Sequence, residues 1–493
     1  MARTWSAQQN AIFAATLETS DNLVVRARAG TGKTTTITEA VVRLHAATQK
    51  RIVVCAFNKK IAEELQKRFA GTTVDAKTLH SIGLACVKRF WPDVKVSFGS
   101  ERADGLAERV CGPTAPDAIK RLVSKLHTKG REIAPHATAL GDLTEIALRF
   151  ECDPDEGWAE DGFGLEYVES KALAAMQLAA EIKPQMTGID GSDMIFLPVR
   201  NKWLRPSWDV VVVDEAQDMT VAQLEIAQGV SKGRVIVVGD DRQAIYGFRG
   251  ADSDSLDRLK TALHSTELPL TTTYRCGRAI VNAAAYYVPD FQAGPDNPEG
   301  EILSLSSDKL TATAGPGDFI LSRVNAPLVS VAMSLLRAGK RTRIAGRDIG
   351  KGLTGLLRKL KARSVPDMLA KLDAWRQREI ARITKQYASR LDSAAYTARI
   401  EGVNDQADML GDLADGAKSI DDVIARVEAL FTDDGLGDAG VITCSSVHRS
   451  KGLEADRVFI LKNTLRASGD REEENIAYVA ITRAKNTLVW VTQ

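Results

Sequence analysis

Leu23-Val-Val-Arg-Ala27 runs directly into Arg28-Ala-Gly-Thr-Gly-Lys-Thr34, and the join between these two stretches decides the fold. The first is a short β-branched apolar run, the mark of a buried parallel strand. The second matches the phosphate-loop pattern GxxxxGK[ST], except that Ala27 stands where the strict form has its first glycine. Gly30 and Gly32 let the backbone curl so that successive N–H groups face phosphate oxygens, and the helical pattern that follows adds its positive N-terminus. Ala29, Gly30, Thr31, Gly32, Lys33, Thr34 and Thr35 form the expected cradle. Lys33 is placed to neutralise the β- and γ-phosphates of ATP, and the Thr34 hydroxyl to ligate Mg²⁺, which keeps a few protein oxygens beside phosphate and water.

Similar runs recur on either side. Arg51–Ala56, Val210–Val213 and Val235–Val238 read as further strands of the same sheet, each followed by a helical pattern or a polar motif. This is the signature of an open βαβ sheet. A second set, Glu301–Leu305, Asp318–Leu321, Thr342–Ala345, Gly440–Thr443, Arg457–Leu461 and Thr487–Val491, predicts a second α/β domain. Helical stretches interrupt both. Ser81–Leu197 separates two strands of the first sheet, with loop-like breaks at Cys111–Pro116 and Asp153–Gly164. The stretch from Arg363 to Asp438 is basic first (Lys371, Arg376, Arg378, Arg382, Lys385, Arg390) and acidic later (Asp405, Asp408, Asp412, Asp415, Asp421, Asp422). The expected domains are 1–85 with 190–272, a helical insertion at 86–189, 273–362 with 439–493, and a second helical insertion at 363–438.

Val210–Val213 ends in Asp214-Glu-Ala-Gln-Asp218. Two acids at the end of a buried strand are costly unless they bind something. Asp214 is placed to hold Mg²⁺, directly or through water, and Glu215 to orient and deprotonate an attacking water. Asp218 or Thr220 is a candidate cap for the next helix. Val235–Val238 delivers Gly239-Asp-Asp-Arg-Gln-Ala-Ile-Tyr-Gly-Phe-Arg-Gly250. There Gln243, a reader of the γ-phosphate, is followed by Tyr246, Phe248 and Arg249, which are either base-stacking residues or, for the two aromatics, core.

The 493 residues, 44% of them apolar and 26% charged, suffice for two to four globular domains, and a net charge of +1 means that any nucleic-acid site is local. The six cysteines lie far apart with no CxxC pair, against zinc, an iron–sulfur cluster or a disulfide framework. Met1–Gln9 has no signal-peptide core and the chain no run of about 18 apolar residues, so a soluble cytoplasmic protein of a bacterial or phage-infected cell is expected, with no membrane partner.

The ordered set Ala27–Thr34, Asp214–Asp218, Gly239–Ala251, Thr273-Tyr-Arg275, Val447-His-Arg-Ser-Lys-Gly-Leu-Glu454 and Val479-Ala-Ile-Thr-Arg-Ala484 resembles the motifs of UvrD/Rep/PcrA-type superfamily 1A helicases. Ser6-Ala-Gln-Gln9, Ala56-Phe-Asn-Lys59 and Lys77-Thr-Leu-His80 are weaker matches. The spellings Phe57-Asn-Lys-Lys and Asp193-Met-Ile-Phe-Leu-Pro198 look closer to the F-box DNA helicase and phage UvrD-like subgroup. The resemblance implies an α/β chain of two RecA-like domains sharing one ATP site, each with an inserted helical subdomain. Gln8, or in second place Gln9, would read adenine, and Tyr274 would stack on it. Arg275 and Arg483 would be the fingers on the γ-phosphate. Glu454 would contact the ribose, with Gly452 allowing close approach.

For single-stranded DNA the resemblance implies Phe57, Asn58, Thr78, His80, Tyr246, Phe248, Arg249 and His448. Phe248 stands where the family has Trp, and Arg242 where Asp or Pro is commoner. The second insertion is shorter than the family's 2B subdomain. Its basic half, with Trp375, is either a duplex contact or, as the favoured reading, a solvated helical hairpin. No nuclease module is expected after the last strand. The implied activity is an ATP-driven DNA helicase or translocase acting on single strands and junctions, with 3′-to-5′ polarity, in repair, replication or recombination and with a possible repair, replication or defence partner. The alternative is a DNA-stimulated ATPase switch, or a protein-displacing translocase without processive unwinding. RNA as the track stays open.

Overall fold

A computed structural model describes residues 4–492 apart from 151, 155, 184–187, 246–254, 388–390, 392–393, 433–437, 467–468 and 470. The chain divides into two compact units, Met1–Ala27 with Gly32–Leu270, and Arg28–Thr31 with Thr271–Gln493. No described helix is long and apolar enough to cross a membrane. All six cysteines are buried, and no disulfide forms among the described residues.

The first unit is built on strands β1 (Leu23–Ala27), β2 (Ile52–Cys55), β3 (Asp75–Lys77), β4 (Trp208–Val213), β5 (Ser231–Gly239) and β6 (Thr266–Leu270). They lie in the order β3-β2-β4-β5-β1-β6, and every pairing is parallel. The central strands are apolar on both faces because helices cover both. Val25, Val54, Val212 and Val238 pack on one side, and Val24, Val53, Val211 and Val237 on the other. β1 and β4 are next-nearest neighbours across β5, so the phosphate loop after β1 and the acidic pair after β4 leave the same edge of the sheet. Ligands of open α/β sheets bind at that carboxyl edge.

The helical insertion lies between Leu79–Phe90 and Gly191–Arg200, two helices that belong to both parts. Ile82 and Ile195 face the sheet core, while Val87, Phe196 and Leu197 belong to a separate helical core with Leu106, Ile119, Leu126 and Met176. That second core also holds ions. Fully buried Arg131 pairs with Asp190 at 2.8 Å and Asp193 at 2.6 Å, and Arg102 reaches Asp193 at 2.9 Å.

In the second unit a two-residue pair, β7 (Thr272–Thr273) and β8 (Gln292–Ala293), precedes the sheet. The sheet strands are β9 (Glu301–Ser306), β10 (Phe319–Ser322), β11 (Thr342–Ile344), β12 (Ile442–Ser446), β13 (Ala455–Leu461) and β14 (Ala484–Thr492), ordered β11-β12-β10-β13-β14-β9 and again all parallel. Helices Val365–Gln386, Ala394–Ala414 and Ile420–Leu430 form the second insertion.

The expectation of a solvated hairpin there is corrected by the packing. Met368, Leu372, Leu410, Leu413, Val423 and Val427 are buried in one continuous core with Ile320, Ile442, Phe459 and Val491 of the sheet, and Trp375 packs against it. Three of the basic residues are paired: Arg376 with Asp408 of the acidic stretch, and, within the same helix, Lys371 with Asp367 at 2.9 Å and Arg382 with Glu379 at 2.7 Å.

Candidate nucleotide site and strand-contact residues

The strand β1 gives way to a loop in which Gly30 and Gly32 both adopt positive φ, at 67° and 81°. These are conformations that side chains resist, and they turn the loop so that Gly32 caps the helix Lys33–Thr48 without a side-chain bond. The helix N-terminus with its unbonded N–H groups is an anion site. Lys33 and Thr34 occupy its first turn. The Lys33 ammonium lies 3.6 Å from Glu215, and the Thr34 hydroxyl donates to Asp214 Oδ2 at 2.7 Å.

Asp214 is 6% exposed. Burial, and then the charge of Glu215, push its carboxyl up to about 6 in spite of Lys33 and Thr34. A hard divalent cation between Asp214 and Thr34 would relieve that unfavourable charge, so the donor set fits Mg²⁺. Glu215 follows with φ at 54°, a left-handed conformation that costs a non-glycine residue. It turns the carboxylate out of the strand direction towards Lys33.

A connection not foreseen from the sequence joins this carboxylate to Gln243, the residue expected to read the γ-phosphate. Gln217, fully buried, donates from Nε2 to Glu215 Oε2 at 2.6 Å and accepts from the Asp240 N–H at 3.0 Å through Oε1. Asp240 in turn accepts from Gln243 Nε2 at 2.7 Å. Gly239 is required beside it, because a Cβ there would stand 2.6 Å from Gln217 Oε1. Asp241 is held by Arg26 of β1 at 3.1 Å, and the same guanidinium reaches Glu267 at 2.7 Å and Asp257 at 2.5 Å. Two amide side chains and one arginine thus hold the segment Asp240–Gln243 in register with Glu215.

Thr220, not Asp218, caps the helix Val221–Val230, in a capping box with Gln223. Gln9 is buried, closes a capping box with Ser6 and donates to Thr36 Oγ1 at 3.0 Å. Gln8 beside it in sequence is half-buried. Phe57 is 52% exposed after β2. Asn58 and Thr78 are the N-caps of Lys59–Arg68 and Leu79–Phe90, accepting from the Ile61 and Ser81 N–H groups at 2.9 and 3.1 Å.

The His80 imidazole is lowered below its usual range by burial, partly countered by Glu132. Phe57 and His80 share a cavity of about 360 Å³ with Asp214, Glu215, Lys129 and Glu132. Lys129 and Glu132 come from the helical insertion and carry no motif. Tyr246, Phe248, Arg249 and the neighbouring Gly250 and Ala251 lie outside the described residues.

In the second unit Arg275 pairs with Glu454 at 2.6 Å, and Glu454 also with Lys485 at 2.9 Å. Arg483 is 1% exposed. Its Nε donates to Val479 O and its Nη1 to Leu453 O, both at 3.0 Å, and it forms no ion pair among the described residues. Burial, and then Arg275, lower its pKa to about 10. A buried cation held by two carbonyls and, at 3.5 Å, the Thr482 hydroxyl is poised for an anion. Tyr274, next to Arg275 in sequence, is 49% exposed, and Gly452 and His448 lie in the turn after β12.

Loop, acidic pair and sheet order together define a phosphate-loop nucleoside-triphosphate-binding fold built from two RecA-like parallel sheets. Sequence comparison narrows the class. The family model for the UvrD/REP helicase N-terminal domain matches residues 5–264, and that for the UvrD-like helicase C-terminal domain matches residues 441–491. The chain belongs to the UvrD/REP helicase family.

F-box DNA helicase 1 of Gallus gallus is 25% identical over 98% of this chain and 48% of its own length. F-box DNA helicase protein 1 of Schizosaccharomyces pombe is 25% identical over 98% and 57%. A probable DNA helicase II homolog of Rickettsia conorii is 23% identical over 96% of this chain and 90% of its own. The chain spans about half the length of the first two relatives.

Proposed function

We propose that this chain is an ATP-dependent motor that moves along single-stranded DNA, 3′-to-5′ as its family likeness suggests, and separates duplex ahead of it. The observation that carries the reading is the set Lys33, Thr34, Asp214 and Glu215 around one helix N-terminus, with Glu215 tied through Gln217 and Asp240 to Gln243. The relatives named DNA helicases support DNA as the track.

In this reading the loop N–H groups and Lys33 bind the β- and γ-phosphates. Asp214 and Thr34 would hold Mg²⁺, which would supply charge neutralisation at those phosphates. Glu215 accepts the proton of the attacking water as its oxygen meets the γ-phosphorus, and the ADP oxygen leaves. Arg275 and Arg483 meet the charge that develops on the γ-phosphate, an effect worth about 10³–10⁵ in rate for such arginines. Gln243 senses the γ-phosphate, and the bonds to Asp240 and Gln217 pass its position to Glu215. Gln8 and Tyr274 hold the base, Glu454 the ribose, and Phe57, Thr78, His80 and His448 the strand. Residues 86–189 and 363–438 act as the two helical insertions of the motor.

The test is Glu215→Gln. It keeps ATP and DNA binding and lowers DNA-stimulated turnover by about 10²-fold or more, the size of a lost general base, whereas Lys33→Ala weakens nucleotide binding as well. Turnover of Glu215→Gln equal to the parent removes Glu215 from the reaction.

A further inference from the structure

The helix Leu79–Phe90 ends in Lys88-Arg-Phe-Trp91, about 18 Å from its cap at Thr78, given 1.5 Å per residue over 12 residues. The helix Gly191–Arg200 ends close to it. Lys202 then adopts a left-handed φ of 57°, and the Trp203 N–H turns back to Pro198 O at 2.9 Å. This turn lays Trp203 flat against Phe90, with ring centroids 4.5 Å apart and planes within 14°, while Trp91 meets Trp203 edge-on at 5.3 Å. Trp91 and Trp203 rest on the helical core beneath. Phe90 is the outer plate of the stack and is 45% exposed.

On the two segments that build the stack Lys88, Arg89, Lys202 and Arg205 are all exposed, and none forms an ion pair among the described residues. One acid, Asp93, lies in the turn that follows. Cations in a last helical turn complement the helix dipole, which accounts for Lys88 and Arg89 alone. It does not account for Lys202 and Arg205 on a second chain segment, nor for an aromatic ring left open between them. An exposed π-face with unpaired cations on both of the chain segments that build it has the two components of a sequence-tolerant site for single-stranded nucleic acid: stacking and phosphate neutralisation.

We propose that this patch binds single-stranded nucleic acid at a second place on the first unit, with a base stacked on Phe90 and phosphates on Lys88, Arg89, Lys202 and Arg205. It is distinct from the strand-contact residues Phe57, Thr78 and His80. The proposal adds to the motor reading without depending on hydrolysis.

The test is equilibrium binding of fluorescent oligothymidylate of about 40 nucleotides, several times the ~4–16 that one binding fold covers, without nucleotide and over a series of salt concentrations. The variant Lys88→Gln/Arg89→Gln/Lys202→Gln lowers the salt slope by about 2, at ~0.7 per phosphate contact for single strands. Phe90→Ala weakens binding by roughly five- to a hundred-fold, the range of one lost stacking contact. The triple variant, all exposed positions, retains its fold and its basal ATPase. Unchanged slope and affinity in both variants overturn the proposal. So does competition by polyglutamate equal to that of the oligonucleotide with no effect of Phe90→Ala, which makes the patch a surface for acidic protein. Because no ATP enters the assay, its failure leaves the motor reading standing, and a failed motor leaves this binding measurable.

Discussion

Both sheets carry a helical insertion, yet the two insertions are held in opposite ways. That in the first unit has a core of its own, centred on Leu126, Met176 and Leu197, and stakes its inner surface on the buried Arg131–Asp190–Asp193–Arg102 network. That in the second unit has no separate core: Met368, Leu410 and Val427 share one with the strands, and its ion pairs lie at the surface. A part with its own core can loosen while the adjoining sheet stays folded; a part that shares the core cannot. The first is therefore the more separable element, although it contributes Lys129 and Glu132 to the cavity beside Glu215.

The largest test of this contrast is the removal of charge from the first core. Arg131→Met leaves Asp190 and Asp193 buried without their principal partner and costs about 3–5 kcal/mol. Hydrogen exchange then rises through Asp117–Ile133 and Leu165–Glu181 while β1, β4 and β5 stay protected. Equal loss in the strands would mean that the two parts unfold as one.

Next are paired cavities, Leu126→Ala in the first insertion and Leu410→Ala in the second, each costing about 2–5 kcal/mol. The first lowers protection within its helices only. The second lowers it in β10, β12 and β13 as well, and protection of those strands in Leu410→Ala equal to the parent's would contradict the shared core.

Acid gives a smaller effect. His127 is fully buried, donates to Ala103 O at 3.0 Å, and burial, then Arg131, lowers its pKa to about 3 from 6.5. The unfolded chain thus takes up a proton first. Stability from this group is complete above about pH 6.5 and is lost as pH falls towards 3, by up to ~1.4 kcal/mol per unit. Thermal melts of His127→Gln between pH 6.5 and 4 show a flatter decline than the parent; parallel declines would show that His127 does not set it. Smallest of all, Arg376→Ala in the second insertion changes stability by less than about 1 kcal/mol, as expected at a surface pair. A larger loss by denaturant titration would place that pair in the core.

The sheets were legible from the chain because their central strands are β-branched runs buried on both faces. Two edge strands were not. β3 is three residues with the polar ends Asp75 and Lys77, and β6, Thr266-Glu-Leu-Pro-Leu270, contains a proline that only an edge position tolerates. The second insertion was misread because its charges are conspicuous, while Met368, Leu372 and Trp375, spaced as one helical face, already marked a buried stripe.

In the candidate site, the meeting of Lys33 and Thr34 with Asp214 and Glu215 was legible because the loop after β1 and the acidic pair after β4 leave one edge of a parallel sheet. The Gln217–Asp240 bond was not, since no local pattern tells which amide of one loop meets the next. Asn58 and Thr78 precede helical patterns and carry the cap signature, so their engagement with backbone N–H groups was readable beside the strand-contact role.

The most direct test of the central claim is strand separation with ATP on partial duplexes carrying a 3′ or a 5′ single-stranded tail, with ATP hydrolysis followed in parallel. A 3′-to-5′ helicase gives hydrolysis stimulated by single-stranded DNA and unwinding from the 3′-tailed duplex only. Stimulated hydrolysis without unwinding from either tail would contradict the helicase and leave a DNA-dependent ATPase in its place.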